Sequence, residues 1–300
     1  MKRVLLTGAS GFIGRHCIPF LQAGGYEVHA VSLRSSRSDE DGLFWHQADL
    51  LDNEQTASLV GKIKPTHLLH FAWFAVPGAY WTSPENFRWV QSGINLLREF
   101  GRHEGERAVF AGSCAEYSWQ YGYCSARTPL EPATLYGKCK HSMQVLLDAF
   151  AAQTGLSAAW GRIFFLYGQY EDPRRLVASV IRSLLKGEPA RCSHGNQIRD
   201  FLDVRDTAGA FVAILESDAQ GPLNVASGNP TLLKDLILKI GNKLGREDLV
   251  ELGAIPAAPN EPRVLLADVQ RLVDEVGWQP LYDLERGLDD AIAWWREHLD

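Results

Sequence analysis

Residues 7–14 read TGASGFIG, and they stand between a short apolar run at 4–7 and an apolar-periodic segment at 12–23. Three glycines at such a junction of strand and helix allow a tight turn, close approach of the backbone to a pyrophosphate and close packing of the helix on the sheet. The N-terminus of the following helix adds free N–H groups and the positive end of a dipole. The stretch therefore predicts a dinucleotide-binding loop. The loop residues expected to bind the cofactor are Gly8, Ser10, Gly11, Phe12, Ile13 and Gly14.

Strand-like and helix-like segments alternate through the first half of the chain. This alternation predicts parallel βαβ units in a doubly wound α/β sheet of the Rossmann type, with at least six strands. Beyond Tyr167 the pattern loosens, which indicates a smaller α/β substrate domain towards the C-terminus. We expect the dinucleotide-binding domain to comprise 1–168 and 199–226, and the substrate domain to comprise 169–198 and 227–300.

Composition excludes several classes of function. The 300 residues carry a formal net charge of −6 and no long basic run, which argues against nucleic acid as a partner. No window approaches the roughly 20 apolar residues that span a bilayer, and the start lacks the pattern of a signal peptide. Five scattered cysteines without CxxC spacing predict reduced thiols and a cytoplasmic protein. We expect no metal site, because His67 and His70 lie three apart on a strand and so face opposite sides.

The end of the second predicted strand indicates which dinucleotide binds. Enzymes that use NAD place a carboxylate about 20 residues beyond the glycine loop, against the ribose 2′-hydroxyl. Here the strand runs into RSSR at 34–37, and the first carboxylate is Asp39. A guanidinium group suits a 2′-phosphate, so the sequence predicts NADP(H); a solvated basic loop is the alternative. Around the adenosine half of the cofactor we expect Arg34, Ser35, Arg37, Asp49 and Leu50, although Asp49 is equally typical of an ordinary loop.

A candidate proton donor follows in the helix predicted near 135–153. Tyr136 and Lys140 are four residues apart and therefore share a helix face. A nearby cation lowers the pKa of a phenol, and a tuned phenol protonates a carbonyl oxygen as hydride reaches the carbon. Ser113 follows the strand predicted at 108–111, at the carboxyl end where ligands bind in such sheets. Its hydroxyl group is placed to bind the same substrate oxygen.

The chain is similar to the extended short-chain dehydrogenase/reductase family, many of whose members act on nucleotide-linked sugars. The resemblance is carried by TGASGFIG, AGSCAEY at 111–117 and YGKCK at 136–140, and it continues in GNQIRDFLDVRD at 195–206, GPLNVASG at 221–228 and the segment 267–288. It implies that Tyr136 is the acid/base, that Lys140 holds the nicotinamide ribose and tunes Tyr136, and that Ser113 orients the substrate oxygen. It also implies a homodimer that pairs the helices near 85–103 and 135–153.

Departures from the family pattern narrow the expected reaction. Cys114 and Ala115 replace the Asp-Glu pair of the 4,6-dehydratases, and epimerase-reductases have a Cys where Ala115 stands. Simple 4-epimerases hold NAD through the acid that this second strand lacks. We therefore expect NADPH-dependent reduction of a keto-sugar nucleotide, a 4-keto-6-deoxy sugar in particular. The alternatives are an NAD-dependent 4-epimerase, a reductase of a small ketone and a non-enzymatic NADP sensor.

The substrate side is marked by aromatic residues and arginines. Phe71, Ala72 and Trp73 end a predicted strand and are expected beside the cofactor. In the loop that follows, Trp73, Tyr80 and Trp81 offer faces suited to a sugar or base, or else to packing. By resemblance, Arg199 and Arg263 contact the phosphates of the substrate, with structural ion pairs as the alternative. The residues expected at the substrate are Trp73, Tyr80, Trp81, Arg199 and Arg263.

Overall fold

The computed structural model describes residues 2–34, 38–258 and 261–299. Within these ranges, seven strands form one parallel sheet in the order β11-β7-β5-β4-β1-β2-β3. The order reverses between β1 and β4, which is the position where open α/β sheets bind ligands beyond their carboxyl ends. The strands of this sheet are β1 (Arg3–Thr7), β2 (Glu27–Ser32), β3 (Leu43–Gln47), β4 (His67–His70), β5 (Arg107–Ser113), β7 (Ser157–Ile163) and β11 (Gly221–Val225).

Helices cover both faces of the sheet, and each face has its own apolar core. On one face Cys17 and Leu21 pack with Phe211 of the helix that precedes β11. On the other face Leu97 and Leu147 belong to a second cluster. The predicted doubly wound Rossmann fold is thereby confirmed. The covering helices are α1 (Gly14–Ala23), α2 (Asn53–Ile63), α3 (Glu85–Arg102), α4 (Leu135–Thr154) and α6 (Val204–Glu216).

A smaller α/β unit lies at the carboxyl ends of the main strands. In the described part of the chain, short strands form a mixed sheet in the order β12-β10-β14-β6, with β8 paired to β10. These strands are β6 (Tyr123–Cys124), β8 (Phe165–Tyr167), β10 (Ile198–Asp203), β12 (Pro230–Leu232) and β14 (Val264–Ala267); β9 (Ala190–Cys192) pairs with β13 (Val250–Leu252). The remaining helices are α5 (Leu176–Leu185), α7 (Leu233–Leu244), α8 (Gln270–Asp274) and α9 (Leu284–Glu297).

The small unit has a core of its own between α5, α7 and α9, in which Ile181, Ile237 and Ile292 are buried. Strand β10 belongs to the small sheet, whereas α6 and β11, which follow it directly, return to the main one. The expected division into two domains stays a prediction, with its crossing point inside 198–226. In the described ranges, no helix has the length and apolar character needed to traverse a lipid bilayer.

Candidate active site

The glycine loop leaves β1 at Thr7 and enters α1 at Gly14, and its backbone permits no larger residues at two positions. Gly8 has a φ of +67°, and a Cβ there would lie 2.9 Å from the backbone nitrogen of Ala72. A Cβ on Gly14 would lie 2.3 Å from the carbonyl oxygen of Gly8. The loop and the first turn of α1 face a cavity of about 550 Å³ that Phe71, Ala72 and Trp73 also line, together with Gly11, Phe12 and Ile13. This cradle of backbone N–H groups fits a pyrophosphate.

At the end of β2 a serine stands in the position of the usual acid. The Ser32 hydroxyl lies 3.3 Å from that of Ser10 in the glycine loop, and it donates to the carbonyl of exposed Arg34 at 3.0 Å. The Asp39 carboxylate accepts the backbone N–H of Trp45 at 2.7 Å, so it braces the turn before β3. Ser35 and Arg37, both expected at the cofactor, lie outside the described residues.

Asp49 and Leu50 follow β3. The Asp49 carboxylate accepts the backbone N–H of Leu51 at 2.9 Å, which closes a tight turn beyond the strand. The Leu50 side chain is buried in the core between sheet and helices, and its carbonyl accepts the hydroxyl of Ser92 at 2.6 Å. Of this pair, Asp49 has its side chain in a turn at the carboxyl edge of the sheet, whereas the Leu50 side chain is part of the packing.

The three candidate catalytic residues lie together on one wall of the same cavity. Ser113 ends β5, and its hydroxyl group lies beside the phenol of Tyr136 and lowers the pKa of that phenol. Thr134 caps α4 by accepting the N–H of Gly137 at 3.1 Å, which fixes the first turn that carries Tyr136. Lys140, one turn further, is buried and its ammonium donates to the carbonyl of Ala111 at 2.8 Å.

Burial governs the protonation of this group. Desolvation raises the pKa of the Tyr136 phenol, reinforced by Tyr80 and opposed by the Ser113 hydrogen bond. The same effect lowers the pKa of Lys140 to about 7, against the favourable charge of Glu116. The direction for Tyr136 is opposite to the lowering that the sequence led us to expect, because the desolvation of a buried phenolate dominates. The phenol is therefore held protonated, as a general acid requires.

Aromatic side chains surround Tyr136. The ring of Tyr80 lies edge-on to Tyr136 with centroids 4.8 Å apart, and that of Trp81 at 5.8 Å. The Trp73 indole donates to Asn86 at 2.9 Å, and its ring centre is 3.8 Å from the ammonium of Lys140, a cation–π contact. Trp73 and Tyr80 line the cavity of the glycine loop, and Tyr80 and Trp81 line the next one, so their expected contacts with cofactor and substrate stay predictions.

That next cavity has about 560 Å³ and shares Tyr80 and Ser113 with the first. Arg199 lies on its wall, only 2% exposed, and donates to Glu261 at 2.8 Å and to the carbonyl of Ile198 at 2.9 Å. Arg199 is thus in an ion pair in this structure, the alternative that the sequence left open. Arg263 lines a neighbouring cavity of about 570 Å³, which also contains Glu261.

The sequence pattern of the NAD dependent epimerase/dehydratase family matches residues 4–226. This span includes the glycine loop and all three candidate catalytic residues. The chain belongs to that family. Among its curated relatives, UDP-glucuronic acid decarboxylase 1 of Xenopus tropicalis is 25% identical over 100% of this chain and 73% of its own length. The dTDP-glucose 4,6-dehydratase of Xanthomonas campestris is 24% identical over 98% of this chain and 93% of its own.

Solved structures of the NAD-dependent epimerase/dehydratase fold match the whole molecule. MoeE5, in complex with UDP-glucuronic acid and NAD, is 28% identical with a TM-score of 0.87 and covers 99% of this chain and 100% of its own. The Thermus thermophilus UDP-glucose 4-epimerase, in complex with NAD, is 24% identical with a TM-score of 0.85, covering 98% and 99%. At 24% identity, the match to the Thermus enzyme shows a shared fold.

Beneath the site of this family member lies a charged network that the sequence analysis missed. Glu116 is fully buried and accepts hydrogen bonds from the N–H of Ser113 at 2.7 Å, from Trp160 at 3.0 Å and from Arg162 at 2.8 Å. The Ser113 hydroxyl accepts from Ala115, so Ser113 and Glu116 form a capping box. The S-x-x-E spacing at 113–116 was the signal available in the sequence.

Proposed function

We propose that this protein reduces the keto group of a nucleotide-linked sugar, with NADPH as hydride donor and Tyr136 as general acid. One observation carries the proposal: the Ser113–Tyr136 hydroxyl pair and the Lys140 ammonium stand on a wall shared with the glycine loop, beside a second cavity large enough for a sugar nucleotide. Family membership supports a nicotinamide-dependent reaction on a nucleotide-linked sugar, and the intact set of three argues against a role limited to sensing the cofactor.

The geometry divides the work among the three residues. The bound cofactor supplies a hydride to the carbonyl carbon. The protonated phenol of Tyr136 gives its proton to the carbonyl oxygen, so that C=O becomes CH–OH with both atoms accounted for. The Ser113 hydroxyl holds the same oxygen, because Ser113 and Tyr136 line the same cavity. Lys140, anchored on the Ala111 carbonyl, places its charge where developing phenolate character is stabilised.

NADP(H) is the proposed cofactor because no carboxylate occupies the ribose position. Ser32 stands at the end of β2, where it contacts Ser10, and the first acid beyond it, Asp39, is turned into the Trp45 backbone. Exposed Arg34 is free to approach a 2′-phosphate. The NAD named with MoeE5 and with the Thermus epimerase favours a second candidate, a 4-epimerase that keeps NAD bound and returns the hydride to the same sugar.

The substrate proposal rests on the second cavity and on the relatives. The relatives that match the whole chain are named for UDP- and dTDP-sugars. The cavity is lined mainly by apolar and aromatic side chains, among them Trp81, Trp119 and Phe164, which suit the faces of a base or a deoxysugar. A 6-deoxy sugar would leave few unmatched hydroxyl groups against such a wall, so we propose a 4-keto-6-deoxy sugar nucleotide.

A homodimer through α3 and α4 is part of the proposal. These helices contact each other and expose Phe87, Val145 and Leu146, with 61%, 50% and 42% of each residue accessible. Exposed apolar side chains on adjacent helices mark an interaction surface. Light scattering should give twice the mass of 33.4 kDa for the wild type and the monomer mass for Leu146→Glu. A monomeric wild type at micromolar concentration would remove this part of the proposal.

The proposed reaction is tested by cofactor binding and turnover on purified protein. NADPH and NADH are titrated by fluorescence, and absorbance loss is then followed with a panel of 4-keto-6-deoxy nucleotide sugars. We expect substrate-dependent oxidation of NADPH that Tyr136→Phe abolishes, while Tyr121→Phe, on an exposed tyrosine, behaves as wild type. Protein that retains NAD without net turnover and interconverts ordinary nucleotide sugars would instead establish the 4-epimerase.

A further inference from the structure

Glu171 is a buried acid that the proposed reaction does not use. It lies in the segment between β8 and α5 and is 3% exposed. The backbone N–H of Ala178, in the first turn of α5, faces its carboxyl group and favours the charged form. Its second oxygen, Oε2, is buried and has no hydrogen-bond partner among the described residues. A buried polar atom without a partner destabilises the free protein, so a hydrogen bond supplied by a bound ligand would be favourable there.

The position of Glu171 indicates where that partner comes from. Glu171 lines both the cavity of the glycine loop and the aromatic cavity, and the two cavities share Ser113 as well. The cation that acts on Glu171 is Arg175, whose charge also acts on the Tyr80 hydroxyl. Burial raises the pKa of Glu171 to about 8, partly offset by Arg175 and the Ala178 N–H. A group bound between the cofactor and the Ser113–Tyr136 pair would therefore contact the carboxyl group of Glu171.

We propose that Glu171 is a substrate-specificity residue whose Oε2 accepts a hydrogen bond from one hydroxyl group of the sugar ring. A sugar hydroxyl is the donor that matches this site, because the reacting ring must lie at the junction of the two cavities and presents hydroxyl groups around its edge. The inference rests on the proposed function for the class of substrate. It adds that Glu171 is the protein group that recognises the sugar ring, in a cavity wall that is otherwise mainly apolar.

The test compares how the wild type and the variants bind a parent sugar and its deoxy analogues, and it needs no turnover. The probes are UDP-glucose or dTDP-glucose, whichever the wild type binds more tightly in the presence of NADP⁺, and its 2-, 3-, 4- and 6-deoxy analogues. They are titrated calorimetrically into the wild type, Glu171→Gln and Glu171→Leu. Glu188→Gln, on an exposed acid just beyond α5, is the matched control. Thermal unfolding of each free protein reports any structural effect.

The expected result is that one deoxy analogue binds the wild type and Glu188→Gln about 5- to 100-fold more weakly than its parent sugar, the factor for leaving a buried polar group unmatched. In Glu171→Leu that same analogue and its parent should bind within about threefold of each other, with NADP⁺ affinity unchanged. Because Leu removes an unmatched oxygen, the free variant should unfold at or above the wild-type temperature. A purely structural Glu171 would instead lower that temperature and leave the discrimination intact.

Three outcomes would overturn the assignment. Equal discrimination among the analogues in the wild type and Glu171→Leu would show that no sugar hydroxyl reaches Glu171, while the proposed reduction stands on its own turnover assay. If Glu171→Leu lost only its affinity for NADP⁺, Glu171 would contact the cofactor and not the sugar. If neither nucleotide sugar binds the wild type, this inference falls, while the proposed reduction is still decided by its turnover assay.

Discussion

Replacing Glu116 by glutamine should destabilise the folded protein severely, although the change only replaces one carboxylate oxygen by an NH₂ group. Glu116 is fully buried and receives the N–H groups of Ser113, Trp160 and Arg162 between 2.7 and 3.0 Å. In Glu116→Gln an amide NH₂ must face one of these donors, and the guanidinium of Arg162, itself 2% exposed, loses its counter-charge. Breaking a buried ion pair on one side costs about 3–5 kcal/mol, a large part of the 5–15 kcal/mol typical of a folded domain.

The assay is urea denaturation followed by tryptophan fluorescence and circular dichroism, with the free energy of unfolding taken from midpoint and slope. Glu85→Gln is the matched control, since its pair with Arg88 is solvent-exposed and such pairs contribute at most about 1 kcal/mol. Adding Arg162→Met to Glu116→Gln should recover part of the loss, because the unpaired charge is removed. A loss below about 1 kcal/mol for Glu116→Gln, or no recovery in the double variant, would refute this account of the network.

Three further predictions concern cofactor choice, catalysis and acid stability. Ser32→Asp should shift the ratio of NADPH to NADH affinity by about 10- to 100-fold towards NADH in fluorescence titrations. The reason is that a carboxylate there accepts a hydrogen bond from the ribose hydroxyl and repels a 2′-phosphate. An unchanged ratio would contradict the position given to Ser32. Lys140→Met should lower kcat by at least about tenfold and leave Tyr136 in place, and unaltered kcat would exclude an electrostatic role. Burial lowers the pKa of His70 to about 3, so the unfolded chain binds more protons between pH 6.5 and 3 and stability falls as the pH falls through that window. His70→Gln should reduce this slope by up to one proton in urea midpoints measured from pH 7 to 4, and identical slopes would count against a buried neutral His70.

Much of the fold was predictable because its signals are local. The glycine loop and the strand–helix alternation depend on neighbouring residues, and the helices predicted near 85–103 and 135–153 are observed at Glu85–Arg102 and Leu135–Thr154. The small sheet was not predictable in the same way, since strands such as Tyr123–Cys124 and Pro230–Leu232 are too short to show a period.

In the candidate site, too, residues in local motifs were predictable, whereas contacts between residues distant in sequence were not. Ser113, Tyr136 and Lys140 were recognisable from spacing and family resemblance. The partner of Arg199 was not, because Glu261 lies 62 residues away and the two meet only through the packing of β10 against β14. Glu171 sits among polar and proline residues that are typical of an exposed loop, and only the tertiary structure shows that it is buried.

The contact between Trp73 and Lys140 gives the protein an optical reporter at its own active site. The indole of Trp73 lies on the wall of the cofactor cavity, and it emits in the range that reduced nicotinamide absorbs. Its face is 3.8 Å from an ammonium group whose pKa is lowered to about 7, so the indole also senses the charge of that group near neutral pH. The difference in intrinsic fluorescence between the wild type and Trp73→Phe should therefore report the occupancy of the cavity and the protonation of Lys140, without a label and without turnover.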